Sequence, residues 1–235
     1  MTALLICMLA YVVIGAAGMY LGARKVSSTE AFQRWLKYGV YILITIIMLI
    51  CITQKVFIWL AVFIIVVGLY EVVKAAYFNA ALLVKAILIY LFIAFGFIGF
   101  IINHNDRFLL YIYFQVFTFD AFSQVCGQLF GNRKLAPKIS AGKTIEGFIG
   151  GSLFCILSAV VGKNYMDISL LKSIAFASFT AITGLVGDLL ASYLKRRSHI
   201  KDYSKLLPGQ GGFLDRFDSL IMCGCCYFIF WMIMQ

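Results

Sequence analysis

Apolar stretches separated by short polar segments run the length of the chain. They can be marked at about 3–22, 38–53, 56–71, 80–102, 108–127, 145–162, 168–190 and 212–234. Most approach the roughly 20 residues that an α-helix needs to cross a hydrocarbon layer of about 30 Å. In lipid, every backbone N–H and C=O must find its partner inside the segment. The pattern therefore predicts an all-α, polytopic transmembrane bundle of about eight spans. The first run is long and has little charge before it, so it is expected to be a span rather than a cleaved signal peptide. After it, Ser27 and Glu30 fit a capping box, and Phe32, Trp35 and Leu36 recur at helical spacing beside Arg34 and Lys37. That reads as a short helix lying in the membrane interface, or as a polar linker carrying aromatics.

Composition supports the membrane reading: 63% of the 235 residues are hydrophobic and 13% are charged. A soluble domain carries about 45–50% apolar and about 25% charged residues. Disorder, a collagen repeat and a disulfide scaffold are excluded by the same figures. The 20 Lys and Arg outnumber the 10 Asp and Glu, for a net charge of +10. Alternating the spans puts sixteen of the basic residues on one side and leaves Lys55, Arg107, Lys163 and Lys172 on the other. The rich side is expected to be the cytoplasm, with both termini outside. The excess then serves topology and anionic lipid, and no nucleic acid partner is expected.

Some features carry little chemistry. Gly18 with Gly22, and Gly147 with Gly151, have the small-xxx-small spacing that lets helices approach, and are expected to pack. Cys223, Cys225 and Cys226 point around a helix rather than to one face, so packing is expected of them too. His104 and His199 have no ligand partner at useful spacing and are expected to be solvated.

Ionisable residues in or beside spans are costly and often functional. Asp120, Glu146, Asp188, Asp202, Asp215 and Asp218 all fall near the expected cytoplasmic face. Residues 1–107 therefore read as scaffold spans and 108–235 as the catalytic core. Asp188 and Ser192 share one face of a helix, as do Asp215 and Asp218 at the start of the next. Three converging carboxylates repel one another unless a cation neutralises them, and oxygen-only ligands suit Mg²⁺. Lys195, Arg196, Lys201, Lys205 and Arg216 surround them, with Gly209, Gly211 and Gly212, whose bare backbone admits phosphate oxygens. Such a set describes a metal–nucleotide or pyrophosphate site. The competing reading is that the basic residues only enforce topology and the acids pair with them.

The 28 residues from Ser192 to Ser219 closely resemble the signature of the phosphatidate cytidylyltransferase (CDP-diacylglycerol synthase) family. Ser192, Lys195, Arg196, Lys201, Asp202, Pro208, Gly209, Gly211, Gly212, Asp215, Arg216, Asp218 and Ser219 stand at the family's spacing, while Gln210 replaces its His. Upstream, Ser140, Lys143, Thr144, Glu146 and Gly147 are similar to a second family block, with Ala141 in place of Pro. Asp120, Gly127 and Gly131 resemble a third, in which Ser123 and Gln124 replace Ala-Tyr. The substitutions suit a divergent paralogue. A P-loop is rejected, because Pro137 occupies the place of its first glycine and no soluble sheet surrounds Gly142-Lys143-Thr144. The pattern of the CDP-alcohol phosphotransferases is absent.

The resemblance implies an enzyme of a bacterial plasma membrane that makes CDP-diacylglycerol and pyrophosphate from CTP and phosphatidate. It implies Mg²⁺ with a second cation, and a homodimer. Asp188, Asp215 and Asp218 are then expected at the metal, with Asp120 as an outer or second-metal ligand. Lys143, Lys195, Arg196, Lys201 and Arg216 would hold the triphosphate and the lipid headgroup. Ser140, Thr144, Glu146, Ser192, Asp202, Gly209, Gln210, Gly211 and Gly212 would complete the substrate site. The alternatives are a CTP-using enzyme or kinase for another lipid phosphate or lipid alcohol, and an inactive lipid-binding or transport relic.

Overall fold

The computed structural model describes residues 2–23, 27–204, 206–207 and 211–235, with backbone only at 2–5, 7, 18–19, 21–23 and 33. The charges of Arg24 and Lys25 used to orient the chain, and the packing of Cys7, Gly18 and Gly22, lie outside the described residues. In chain order the helices are α1 (Thr2–Ala23), α2 (Ser28–Thr53), α3 (Phe57–Ala76), α4 (Ala80–Asn103) and α5 (Asp106–Phe130). A hairpin follows, β1 (Lys134–Ala136) and β2 (Ser140–Thr144), then α6 (Ile145–Met166) and α7 (Leu170–Arg197). A 3₁₀ turn, Leu214–Arg216, leads into α8 (Asp218–Met234).

Among the described residues six helices, α2 to α7, are long and apolar enough to cross a membrane. The stretch Met8–Ala17 within α1 and the 17-residue α8 are shorter apolar helices. The chain is an integral membrane protein built of helices, and two local expectations need correction. First, the segment after Ser27 is not a separate interfacial helix: it runs unbroken from Ser28 to Thr53. The Ser27 hydroxyl does cap it, accepting the Glu30 N–H at 3.4 Å, but no breaker follows before Thr53. Its 26 residues extend about 39 Å, more than a bilayer core, so one end projects beyond the hydrocarbon.

Second, the all-α expectation misses the hairpin, whose antiparallel register pairs Lys134 with Thr144 and Ala136 with Ser140. Pro137 sits second in its turn, where its fixed φ is favoured, and the Ile139 N–H closes the turn on the Ala136 carbonyl at 3.0 Å. Strands of three and five residues are too short to leave a periodic signature.

The centre of the bundle is α5. From Leu109 to Phe119 every side chain is buried, an unbroken run that allows no solvent-facing stripe. It packs most extensively on α6, where a Cβ added at Gly147 would meet the Ser123 carbonyl oxygen at 2.6 Å and one at Gly151 the Phe119 oxygen at 2.9 Å. The expected packing role of that glycine pair is what the structure shows. Thr180 binds Gln115 and Tyr227 at 3.3 and 2.9 Å, joining α5, α7 and α8 through buried polar groups.

The described cysteines are free, and Cys155, Cys223 and Cys225 are buried. His104 is a further correction. It lies half-buried against Phe100, Phe108 and Trp231, with Nδ1 2.9 Å from the Phe100 carbonyl oxygen. Burial pushes its imidazole below the ordinary pKa, which the Phe100 carbonyl partly opposes.

Candidate active site

One cavity of 620 Å³ gathers most of the expected site. Asp120 enters it from α5; Ser140, Lys143 and Thr144 from β2; Asp188 and Lys195 from α7. Asp202, Asp215 and Arg216 come from the segment before α8, Asp218 and Ser219 from the first turn of α8, and Lys37, Tyr38 and Tyr41 from α2. Asp120 stands ten residues before the end of α5 and Asp188 nine before the end of α7. At 1.5 Å per residue these two carboxylates stand about 15 Å along their helices from the ends.

Lys143 is the hub. Its ammonium pairs with Asp188 and lies within electrostatic reach of Asp120 and Asp218. Burial opposes the charge, but these carboxylates, Asp188 foremost, outweigh it and hold Lys143 above the ordinary lysine range. The acids are individually oriented. Ser219 Oγ donates to Asp120 at 3.3 Å, Ser192 Oγ to Asp188 at 3.5 Å, and the Ser219 N–H to Asp218 at 2.7 Å. Gly187 brings α7 and α8 together beside them: a Cβ there would meet the Asp218 carbonyl oxygen at 2.6 Å.

Asp215 belongs to a second, separate pair. Lys195 Nζ reaches its Oδ1 at 2.5 Å, and the Gly212 N–H donates to its Oδ2 at 2.9 Å. Both partners are deeply placed, with side chains 11% and 6% exposed for Lys195 and Asp215. The expected trio of Asp188, Asp215 and Asp218 thus shares a cavity without closing on one point. Among the described residues no three of His, Cys, Asp and Glu are close enough to hold a metal ion together. The physical reason is that each of two lysines has claimed one carboxylate. Asp120, Asp188 and Asp218 lie within electrostatic reach of Lys143, and carboxylate oxygens are hard donors of the type that suits Mg²⁺, but they do not close on one point.

Other expected residues do structural work. Thr144 is the N-cap of α6, its hydroxyl accepting the Gly147 N–H at 3.1 Å. Glu146 accepts the N–H groups of Asn132 and Arg133 at 3.1 and 3.2 Å, tying the hairpin to α6 rather than facing the cavity. Arg196 donates to the carbonyls of Ile139 and Ile200, both at 3.2 Å. Lys201 is exposed and does not line the cavity. Gly211 has φ +87°, a left-handed conformation that disfavours any side chain. A Cβ on Gly212 would lie 2.8 Å from Asp215 Oδ2. Lys205, Pro208, Gly209 and Gln210 lie outside the described residues.

The motif reading missed two residues. Glu71 of α3 is fully buried and accepts hydrogen bonds from Ser204 Oγ, the Phe213 N–H (2.9 Å) and the Leu214 N–H (2.6 Å). Its one signal in the sequence is a lone acid in an apolar span. Tyr203 packs its ring 5.5 Å from Lys195 Nζ and donates to the Ala191 carbonyl at 3.1 Å. Burial first, then Asp218, Asp215 and Glu71, keep its phenol protonated. A second, largely apolar groove of 770 Å³ runs between α4 and α7, lined by Ala86, Tyr90, Leu190 and Leu194 and edged by Lys85 and Arg197. Asp218 lines both spaces.

Spans surrounding a sunken charged cavity, with an apolar groove beside it, define a polytopic membrane protein with a polar centre at one end of its bundle. The chain belongs to the cytidylyltransferase family, whose sequence model matches residues 1–234. It is 39% identical over 123 residues to a phosphatidate cytidylyltransferase of Haemophilus influenzae, covering 50% of this chain and 43% of the relative. It is 37% identical over 134 residues to that of Staphylococcus haemolyticus, covering 55% and 52%. With that of Aquifex aeolicus it shares 36% over 125 residues, covering 53% and 47%. The chain spans about half the length of the curated relatives it matches.

Proposed function

We propose that this protein transfers the cytidylyl group of CTP to phosphatidate, giving CDP-diacylglycerol and pyrophosphate. The observation that carries the reading is the cavity in which Lys143 lies within reach of three carboxylates, lined also by Lys195 and Arg216. A phosphate oxygen of the lipid attacks the α-phosphorus of CTP, and the bond to the bridging oxygen breaks as pyrophosphate leaves. No protein nucleophile is needed, so the residues act by positioning and charge neutralisation. Lys143, Lys195 and Arg216 hold the phosphates, and Ser140 adds a neutral hydrogen bond. Asp188, Asp218 and Asp120 would offer oxygen ligands to Mg²⁺ and a second cation, which would supply neutralisation of the triphosphate. Asp215 serves through Lys195.

The lipid approaches along the groove between α4 and α7, its headgroup near Lys85 and Arg197, and meets the nucleotide where Asp218 borders both spaces. The basic bias of the loops supports an active site facing the cytoplasm with both termini opposite. The bacterial relatives support a plasma membrane location. Residues 108–235 supply most of the reacting face, and 1–107 the support, with Lys37, Tyr38 and Tyr41 added to the cavity lining. Gln210 is assigned a hydrogen bond to phosphate, a role an amide can fill. A large rate gain in Gln210→His with a new pH limb near the His pKa would contradict that assignment. The resemblance also supports a homodimer, which native mass spectrometry would count.

The deciding experiment supplies the purified protein with CTP labelled at either phosphate position. Label from the α-phosphate appearing in lipid supports the reading. Label from the γ-phosphate in lipid means a kinase, and solute movement without turnover means a transporter.

A further inference from the structure

We infer that Glu71 is a positioning residue: from the scaffold half of the chain it clamps the segment that presents Asp215, Arg216 and the phosphate-binding backbone. This rests on the proposed reading of the site.

A fully buried carboxylate inside an apolar helix is costly unless its lone pairs are occupied. Among the described residues no cation pairs with Glu71; the ion pairs are Lys143–Asp188 and Lys195–Asp215. Its charge is met instead by three donors from one distant stretch. Ser204 precedes residues 205–212 and Phe213 and Leu214 follow them, so the carboxylate fixes the chain on both sides of that stretch. The Phe213 and Leu214 N–H groups open the 3₁₀ turn that carries Asp215 and Arg216. Without Glu71 these buried and part-buried backbone donors would be unsatisfied. Two residues on, the same turn delivers Asp215 to Lys195 and to the Gly212 N–H. Ser204 also accepts the Leu206 N–H at 3.2 Å, so the clamp reaches into the segment. Hydrogen bonds at the start of the turn, its covalent chain and the Asp215 ion pair thus connect α3 to the lysine assigned to phosphate.

A merely stabilising acid and a positioning acid differ in what their loss changes. Glu71→Gln keeps the shape but offers one acceptor oxygen and turns an NH₂ toward the opposing N–H donors. Hydrogen exchange of the full-length protein in nanodiscs, read on peptides covering 211–217, is expected to speed up about 10- to 100-fold, the equivalent of one charge-assisted hydrogen bond, with α4 to α7 unchanged. Steady-state kinetics should show KM for CTP raised about tenfold or more, KM for phosphatidate unchanged and kcat within a few-fold. Glu71→Asp, which keeps the carboxylate, should recover part of both effects. Unchanged exchange in 211–217 overturns the clamp. Faster exchange with an unaltered KM for CTP overturns the positioning role and leaves a structural one. The exchange measurement needs no turnover, so it judges the clamp even if wild-type protein transfers no cytidylyl group.

Discussion

The Lys195–Asp215 pair gives the sharpest separation between an acid that holds metal and one that holds a lysine. At 2.5 Å, with 11% and 6% of the side chains exposed, it is a buried ion pair. At an effective dielectric of about 20, Coulomb attraction across that distance is roughly 6–7 kcal/mol. Desolvation of the two ions offsets several kcal/mol each, so the net worth of the pair is small. Breaking it is different: Asp215→Asn leaves Lys195 as a buried, uncompensated cation and deletes the charge that the Gly212 N–H faces. Loss of about 3–5 kcal/mol is expected, and a similar loss for Lys195→Met. The double variant removes both charges, so it should be less destabilised than the sum of the singles by about 2–3 kcal/mol. Chemical or thermal unfolding in detergent, with all four proteins, completes the cycle. A Mg²⁺ titration of residual activity in Asp215→Asn should show an unchanged half-saturating concentration. Additive single effects, or an unperturbed fold with a shifted Mg²⁺ requirement, would refute the assignment and return Asp215 to the metal.

Other outcomes follow from the same geometry. Lys143→Met removes the ammonium that neutralises Asp188, Asp120 and Asp218; kcat should fall about 10²–10³-fold while the half-saturating Mg²⁺ concentration also falls, because the acids then depend on the metal alone. Gly187→Ala drives a Cβ to 2.6 Å from the Asp218 carbonyl oxygen, so α7 and α8 must separate; about 1–3 kcal/mol of stability and most turnover should be lost together. His104 has its pKa lowered by burial, so the unfolded chain takes up the proton first as pH drops. Its contribution to stability is therefore complete above the ordinary His pKa of about 6.5 and is lost as pH falls through the lowered folded value. The decline in melting temperature across that window should be shallower in His104→Gln.

The spans were legible because lipid imposes one rule on every segment, and apolar length alone reports it. That Asp120, Asp188, Asp215 and Asp218 share one cavity was legible because charged residues beside apolar runs are costly and gather at one face. Their partners were not. Helical spacing places Asp215 and Asp218 on one face, but the chain enters α8 through a 3₁₀ turn, which sends Asp215 to Lys195 instead. Glu71 lies 133 residues from Ser204, and no local pattern announces a contact across that distance. The hairpin escaped because its strands are held by Pro137, the Thr144 cap and the Glu146 clasp, all local geometry rather than periodicity.

The most direct measurement of the central claim is incorporation of α-labelled CTP into phosphatidate by the purified protein, beside Asp188→Asn and Asp218→Asn. Wild-type protein is predicted to label the lipid and release pyrophosphate, to stop when chelator removes the divalent metal, and to lose nearly all activity in either variant. Full activity in both variants, or no labelled lipid from folded wild-type protein, would contradict the account.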